Sequence, residues 1–389
     1  MRDLPRDVGG RIAAMRRARR LTQTALAERA FVSLAMVKAV ERGARTPSDA
    51  TLEAIAAALD AEPSHLVDEH AGTRRGIHAA LPKISAILAA YDIPPGPPRR
   101  PLAELRTAVA AAVDLRVGAQ YARIAEQAPQ LLEDALAHLH ATPHPDTARL
   151  VVSAARSADA VAYKVGALDL SARLVDLMRW AASRAEDPLV DATVAYVRGE
   201  TFFAAKAHAA GLHALQVAID AAPAPDAAAA AAARGALHMR AAVLAGRAAD
   251  ADSAREHLTT ARELSCSVPE DLYQGTAFGP DSVRAHEVSL AVSLGGDHVH
   301  HALDVAREWK PGDHLPAERR SGFYIELARA QLWSGAPDEA FESLAAARQI
   351  APLHTREHPW AKEDALKLRR LKRAEAEEVT RFAEWIGAV

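Results

Sequence analysis

The sequence contains no asparagine, a single cysteine and few aromatic residues, which make up 5% of its 389 positions. One cysteine, Cys266, excludes internal disulfides and any metal site built from clustered cysteines. No apolar run approaches the roughly 18 residues that a membrane-spanning helix needs, and the first residues lack the apolar core of a signal peptide. These absences predict a cytoplasmic protein that has no membrane partner.

Alanine is the most abundant residue in the chain. The chain has 92 alanines, and its 39 arginines far outnumber its 8 lysines. Because alanine has the highest intrinsic helix propensity, the composition predicts an all-α fold. The formal net charge of −3 excludes a wholly basic nucleic-acid coat protein. Abundant alanine and arginine are also typical of proteins from high-GC genomes, such as actinobacterial ones.

Charge is unevenly distributed over the first seventy positions. Residues 1–45 contain 11 lysines and arginines against 4 acidic residues, whereas residues 46–70 contain 6 acidic residues and no lysine or arginine. A basic segment on a mildly acidic chain indicates a small anion-binding domain. A solvated helix face would produce the same pattern, and charge alone does not separate the two interpretations.

The start of the chain has the pattern of short helices joined by short turns. Thr22 and Ser33 are suited to cap helix starts, and Gly43 follows a helix end. Five helices are predicted to form one compact domain over residues 1–75, followed by a connecting helix over residues 76–91. The five prolines of residues 93–101 favour a stiff linker and mark the predicted boundary of a second domain over residues 102–389. The apolar residues at helical spacing are Ile12, Met15, Leu26, Ala30, Val37, Val40, Leu52, Ile55 and Leu59.

The second domain contains segments that share a period of roughly 34 residues. The pattern resembles the tetratricopeptide repeat over residues 192–223, 235–266 and 321–352, where small residues fall at the positions at which two helices cross. The resemblance is degenerate over residues 102–190 and 283–312. It implies an α-solenoid of helical hairpins, although a plain helical bundle rich in alanine is the alternative. The aligned small residues are Gly199, Ala242 and Ala328 in the first helices and Gly211, Ala254 and Ala340 in the second.

Residues 21–43 resemble the helix-turn-helix of the phage-repressor (XRE, Cro-like) family, and the likeness extends over roughly residues 8–70. One position departs from the family, because Phe31 occupies the turn position that glycine commonly holds, and we therefore expect a slightly remodelled turn. The matching residues are Leu21, Gln23, Leu26, Ala27, Ala30, Val32, Ser33, Val37, Val40, Glu41 and Gly43.

This resemblance implies double-stranded DNA as a partner and the second helix of the motif as the recognition helix. With Val37 and Val40 packed inward, Leu34, Ala35 and Lys38 point outward. Lys38 is the strong base-edge donor, with guanine as its natural partner, while Leu34 and Ala35 suit thymine methyl groups. The remaining candidate DNA contacts are Gln23 and Ser33 in the motif and Arg16, Arg17, Arg19, Arg20, Arg42 and Arg45 for phosphates. A helix-turn-helix used only for protein contacts is the alternative.

Histidine clusters and the C-terminal segment give weaker signals. The runs at His138 and His140 and at residues 298–301 could bind zinc, but neither has the spacing of a known zinc helix, and we expect no metal site. No sequence feature supplies a base for Cys266, a phosphate loop or a catalytic elbow, so we expect neither an enzyme nor a cofactor. The basic C-terminal helix is interpreted as the polar cap of a solenoid rather than a nucleic-acid or membrane contact.

The whole pattern resembles bacterial regulators that join a DNA reader to a repeat-containing sensor. The resemblance implies a homodimer that binds a roughly palindromic operator and responds to an effector. The alternative is a repeat scaffold that binds a protein partner, with the helix-turn-helix only localising it to DNA.

The effector is either a small molecule or a peptide. Repeat regulators of this architecture often clamp peptide backbones with asparagine, whose amide donates and accepts hydrogen bonds, and this chain has none. The repeat resemblance implies that positions 2, 5, 9 and 12 of each first helix face the concave side. The resulting effector-binding candidates are Tyr196, Glu200, Phe203, Met239, Arg284 and Glu287.

Overall fold

A computed structural model describes residues 8–45, 47–61, 66, 71–371 and 377–388. Within these residues the chain forms twenty helices and a single two-stranded hairpin. The predicted all-α fold is therefore confirmed, with one small β-element added to it. The chain divides into two compact units between Ala79 and Ala80.

Four short helices make up most of the described part of the first unit. Side-chain oxygens cap three of them: Thr22 accepts a hydrogen bond from the Ala25 amide at 3.0 Å, and Ser33 accepts one from the Met36 amide at 3.1 Å. The apolar residues predicted at helical spacing form a shared core, in which Ile12, Leu26, Val37, Ile55 and Leu59 are fully buried. The helices are α1 Val8–Ala18, α2 Gln23–Arg29, α3 Leu34–Glu41 and α4 Asp49–Ala58.

A long helix, α5 Ala71–Ala89, contains the division between the units. The predicted connecting helix over residues 76–91 lies largely within it. The fifth helix of the predicted N-terminal domain falls outside the described residues, apart from Leu66, which is buried in the core of the first unit.

The second unit is a succession of helical hairpins. The first helices of successive hairpins, α8, α10, α12, α14 and α16, also pack beside one another and form an inner row. A solenoid has this arrangement, because each hairpin buries its apolar face against the next. The helices are α6 Leu102–Val117, α7 Tyr121–Ala141, α8 Pro145–Lys164, α9 Leu168–Ala182, α10 Pro188–Ala204, α11 His208–Ala221, α12 Ala228–Arg247, α13 Ala251–Ser265, α14 Pro280–Leu294, α15 His298–Glu308, α16 Ala317–Trp333, α17 Pro337–Ile350, α18 Pro352–Glu357, α19 Pro359–Leu371 and α20 Glu377–Ile386.

Small residues lie where the helices of these hairpins approach closely. A Cβ added at Gly199 would stand 2.8 Å from the side chain of Arg240, and one added at Gly211 would stand 2.8 Å from that of Phe202. Ala328 at the equivalent position of α16 has no exposed surface. The three predicted hairpins correspond to α10–α11, α12–α13 and α16–α17, and the segments with a degenerate pattern also form helical hairpins.

The proline-rich segment over residues 93–101 belongs to the second unit, so the observed division precedes the predicted linker. The segment is held against α7. Arg100 forms an ion pair with Asp134 at 2.7 Å, and its carbonyl oxygen lies 2.8 Å from Nε2 of His138. These contacts hold residues 93–101 against the solenoid, whereas the prolines alone predicted a stiff linker.

A β-hairpin between α13 and α14 was absent from the sequence prediction. Strands β1 Asp271–Tyr273 and β2 Thr276–Phe278 pair antiparallel through a two-residue turn. Gln274 and Gly275 in that turn have φ angles of 48° and 72°, the left-handed conformation that two-residue hairpin turns favour. Phe278 is fully buried against α12, where Gly235 leaves room for its ring.

The last two helices, α19 and α20, pack against the preceding hairpin. Phe382 of α20 contacts Phe341 of α17 edge to face, with the ring centroids 5.8 Å apart. This packing accords with the predicted cap, although residues 372–373 of its basic stretch lie outside the described residues. No helix in the described ranges is long and apolar enough to cross a membrane.

Candidate functional site

The turn between α2 and α3 keeps a regular geometry although it contains no glycine. The amide of Val32 donates to the carbonyl of Ala27 at 3.0 Å, and the amide of Phe31 donates to that of Glu28 at 3.3 Å. This pair of bonds is the Schellman pattern that ends many helices. Phe31 adopts the left-handed conformation itself, with φ of 53°, and its side chain is 96% exposed. The expectation of a remodelled turn was therefore wrong.

The α3 helix presents the predicted groove-facing residues to solvent. Ala35 and Lys38 are exposed and Leu34 is half-buried, while Val37 and Val40 on the opposite face are buried in the core. Ser33 remains at the N-terminal end of the helix as its cap. Among the candidate phosphate contacts, Arg17, Arg19, Arg20, Arg42 and Arg45 are exposed.

Arg16 does not belong to this exposed set, which corrects its prediction as a phosphate contact. Its guanidinium donates to Glu41 at 2.7 and 3.0 Å and to the carbonyl of Leu21 at 2.7 Å. Gln23 donates to the same carboxylate at 2.7 Å. Burial raises the pKa of Glu41, but hydrogen bonds from Arg16 and Gln23 outweigh it and hold the pKa below its ordinary value. Arg16 and Gln23 thus connect the helices that position α3.

The inner row of helices in the second unit lines a cavity of about 810 Å³. Tyr196, Glu200 and Phe203 of α10 lie in its wall, in the positions expected from the repeat pattern. The guanidinium of Arg240 stacks 4.0 Å from the centroid of the Tyr196 ring and lies 3.5 Å from the Glu200 carboxylate. A cation and an aromatic ring are therefore in contact in this wall.

The other three predicted effector residues do not line the cavity. Met239 is completely buried, Arg284 is exposed, and Glu287 pairs with Arg262 at 3.1 Å outside the cavity. The repeat register predicted for α12 and α14 was therefore wrong, and the residues assigned to the inner face do not lie on it. The cavity-lining residues of α12 and α14 are instead Arg240, Val243, Arg247, Ala285, His286 and Ser289.

Several ionisable groups in the cavity were not predicted. Burial raises the pKa of Glu326 to about 7, although this carboxylate accepts a hydrogen bond from Ser289 at 2.7 Å. Burial also lowers the pKa of His286 to about 3, so its imidazole stays neutral at physiological pH. The only sequence signal for such positions is a polar residue in a first helix, which does not distinguish a cavity wall from an exposed face.

Three of the histidines considered as metal ligands, His138, His140 and His301, have other partners in the structure. Nε2 of His140 lies 2.9 Å from the carbonyl oxygen of Tyr91, and Nε2 of His301 lies 2.7 Å from Glu287. No group of three or more histidine, cysteine, aspartate or glutamate side chains suited to a metal occurs among the described residues. Cys266 is exposed.

Comparison with known proteins identifies the first unit. Residues 7–69 match the family described as "Helix-turn-helix domain". Over 62 residues the chain is 47% identical to the immunity repressor protein of Bacillus phage phi105, a match that covers 16% of this chain and 43% of the repressor. The chain therefore carries a helix-turn-helix domain, followed by helical repeats, but it aligns with less than half of that relative.

A solved structure gives a fainter likeness across more of the chain. The crystal structure of Bacillus thuringiensis PlcR in complex with the peptide PapR7 and DNA is 15% identical, with a TM-score of 0.29, and the match covers 67% of this chain and 94% of that one.

Proposed function

We propose that the protein is a sequence-specific, DNA-binding transcriptional regulator whose repeat region senses an effector and dimerises. The observation that carries this proposal is the exposed face of α3 on a helix-turn-helix domain, presenting Lys38 and Ala35 away from the core. The 47% identity to a phage repressor over 62 residues supports a role in transcription. The protein would act in the cytoplasm, without catalysis.

In this proposal the two classes of contact have separate effects. Lys38 reads a guanine, and Leu34 and Ala35 contact thymine methyl groups, so they determine which operator is bound. The exposed arginines contact phosphates, which set affinity and its dependence on salt; they are Arg17, Arg19, Arg20, Arg42 and Arg45. A dimer would place two copies of α3 on two half-sites of a roughly palindromic operator.

The cavity in the inner row is the proposed effector site. Tyr196, Phe203 and Trp360 provide aromatic surface, and charged groups also line its wall. A volume of about 810 Å³ is within the range of small-molecule sites. We favour a small molecule over a peptide, because the chain has no asparagine with which to clamp a peptide backbone in the usual form.

Genome-wide footprinting of the full-length protein tests the proposed function. We expect discrete, roughly palindromic sites, and we expect Lys38→Ala to weaken binding at the bases that it reads by about tenfold or more. Lys83→Ala is the matched control, because Lys83 is also an exposed lysine on a helix. Footprints without any specific sequence would overturn the proposal. A stoichiometric protein partner recovered in place of operator DNA would favour a scaffold.

A further inference from the structure

Three arginines from different helices hold the β-hairpin inside the cavity. Arg156 of α8 donates to the carbonyl of Gln274 at 2.9 Å and to the hydroxyl of Thr276 at 2.8 Å. Arg116 of α6 donates to the carbonyl of Gly275 at 2.9 Å. Arg319 of α16 donates to the carbonyl of Ala277 at 2.8 Å and also to the hydroxyl of Ser282. We call Arg116, Arg156 and Arg319 the arginine clamp.

The arginine clamp has no anionic partner among the described residues. Every hydrogen bond that its members make ends on a backbone carbonyl or a hydroxyl oxygen, which are neutral acceptors. Arg156 is only 8% exposed, and Nε of Arg116 is buried without a hydrogen-bond partner. Buried charges are normally paired, because removing them from water is costly.

The carboxylates that share the cavity have partners of their own. Glu200 pairs with Arg240 at 3.5 Å. Glu318 pairs with Lys164 and accepts a hydrogen bond from Tyr121 at 2.8 Å. Asp159 accepts one from Ser171 at 2.6 Å, and burial raises its pKa, which favours its neutral form. Glu318 and Glu200 favour the charged form of Arg116 through space, but among the described residues no carboxylate forms an ion pair with a member of the clamp.

Guanidinium groups in this arrangement match carboxylate or phosphate oxygens better than amide carbonyls. A planar guanidinium donates two parallel hydrogen bonds to such an anion, and these charge-assisted bonds are roughly twice as strong as neutral ones. Burial and the neighbouring charge of Arg116 lower the pKa of Arg156 to about 9, so the pair repels itself while remaining charged at neutral pH. An anion between them would remove that repulsion.

We propose that the arginine clamp is an anion-binding subsite, and that the carboxylate or phosphate of a small-molecule effector competes for it with the hairpin carbonyls. The inference rests on the proposed effector site, because it names the chemical class of ligand for the same cavity. The hairpin remains attached at its base, where Phe278 packs on Gly235, while its turn leaves the clamp. Effector binding is thereby coupled to a movement of the hairpin turn.

Calorimetric titration of the full-length protein with sodium phosphate and with sodium succinate, each at matched ionic strength in sodium chloride, tests this subsite. We expect saturable binding of at least one anion, and the two titrations distinguish a phosphate-bearing from a carboxylate-bearing ligand. Arg156→Gln should weaken that binding about tenfold or more. If Arg156→Gln does not fold, Arg116→Lys replaces it, because lysine retains the charge but cannot donate two parallel hydrogen bonds from a planar group. Arg149→Gln on the same helix is the control, because Arg149 already pairs with Asp146 and Asp187.

Competition with the hairpin has its own test in Thr276→Val. This change removes the hydroxyl that Arg156 holds, so the anion should bind about two- to tenfold more tightly, whereas a purely structural clamp would lose stability with no gain in affinity. Absence of saturable binding by either anion, or unchanged affinity in Thr276→Val, would overturn the inference. Neither titration uses DNA, so these outcomes are independent of whether an operator exists.

Discussion

Arg16 and Glu41 connect the first and third helices of the helix-turn-helix domain through two hydrogen bonds of 2.7 and 3.0 Å. Their side chains are only 12% and 5% exposed, which distinguishes this ion pair from the surface pairs of the second unit. Since Gln23 donates to the same carboxylate, one acidic side chain fixes the start of α2 and the end of α3 relative to α1. The orientation of the recognition helix therefore depends on Glu41.

Replacing Glu41 with alanine should destabilise the first unit by about 3 kcal/mol, because Arg16 would remain largely buried without a counter-charge. Hydrogen exchange across α1, α2 and α3 measures the effect, since all five tryptophans lie beyond residue 179 and fluorescence does not report on this unit. Glu28→Ala, an exposed acidic residue on α2, is the control and should change exchange little. Equal protection in both variants would contradict the structural role of the pair.

The same carboxylate predicts how acid affects the first unit. The folded-state pKa of Glu41 is below its ordinary value of 4.5, so its ionised form stabilises the fold at neutral pH. That stabilisation should be lost progressively as pH falls below 4.5 towards the folded-state pKa. Hydrogen exchange between pH 6 and pH 3, corrected for the intrinsic exchange rate, should show a steeper loss of protection in the wild type than in Glu41→Ala. Parallel profiles would refute the assignment.

Phe31 offers a test of backbone strain in the turn before α3. Its left-handed conformation costs a residue that has a Cβ roughly 1–2 kcal/mol, and glycine recovers part of this at the expense of greater freedom in the unfolded chain. Phe31→Gly should therefore be about 1 kcal/mol more stable than Phe31→Ala. Because both variants lack the exposed ring, the difference between them reports the cost of the Cβ alone. Hydrogen exchange of α2 and α3 provides the measurement, and a less stable glycine variant would exclude strain at this position.

Local patterns in the sequence were sufficient to predict the helices of the first unit. The caps at Thr22 and Ser33 and the buried apolar face of α3 depend on residues three or four positions apart, which periodicity reveals. The pairing of Arg16 with Glu41 joins residues 25 positions apart and leaves no such signal. Arg16 therefore looked like one more phosphate contact in a basic segment.

The cavity wall could be predicted only where the repeat register was counted correctly. The register was right for α10, so the predicted residues Tyr196, Glu200 and Phe203 do line the cavity. For α12 and α14 the predicted start of the repeat was slightly wrong, so the residues assigned there do not line it. The β-hairpin was missed because its strands have three residues each, too few to establish an alternating pattern. The arginines that hold it are up to 159 positions away in sequence.

Glu326 should make the second unit less stable as pH rises. Burial raises its folded-state pKa to about 7, while Ser289 donates to it and Arg247 favours its ionised form. A raised acid pKa means that folding favours the protonated form, so stability should fall between pH 4.5 and pH 7 and stay low above. Glu326→Gln should gain about 1–3 kcal/mol at pH 8 and almost nothing at pH 4.5, measured by urea unfolding with tryptophan fluorescence. Glu263→Gln, at an exposed position, is the control; a gain that does not depend on pH would contradict the assignment.

Gly235 and Phe278 should be energetically coupled, because the Phe278 ring at the base of the hairpin occupies the space that a side chain at residue 235 would need. A Cβ at residue 235 would stand 2.0 Å from Cζ of the Phe278 ring, closer than two carbon atoms can approach. Gly235→Ala should therefore cost at least about 2 kcal/mol and expose the amides of residues 271–278 to hydrogen exchange. Gly76→Ala, where a Cβ meets nothing within 4 Å, is the control and should be neutral or slightly stabilising.

A double variant tests whether the ring itself causes the loss. In a Phe278→Ala background the clash is gone, so the Gly235→Ala change should cost almost nothing. Additive losses in the double variant would show that the ring and the glycine do not meet.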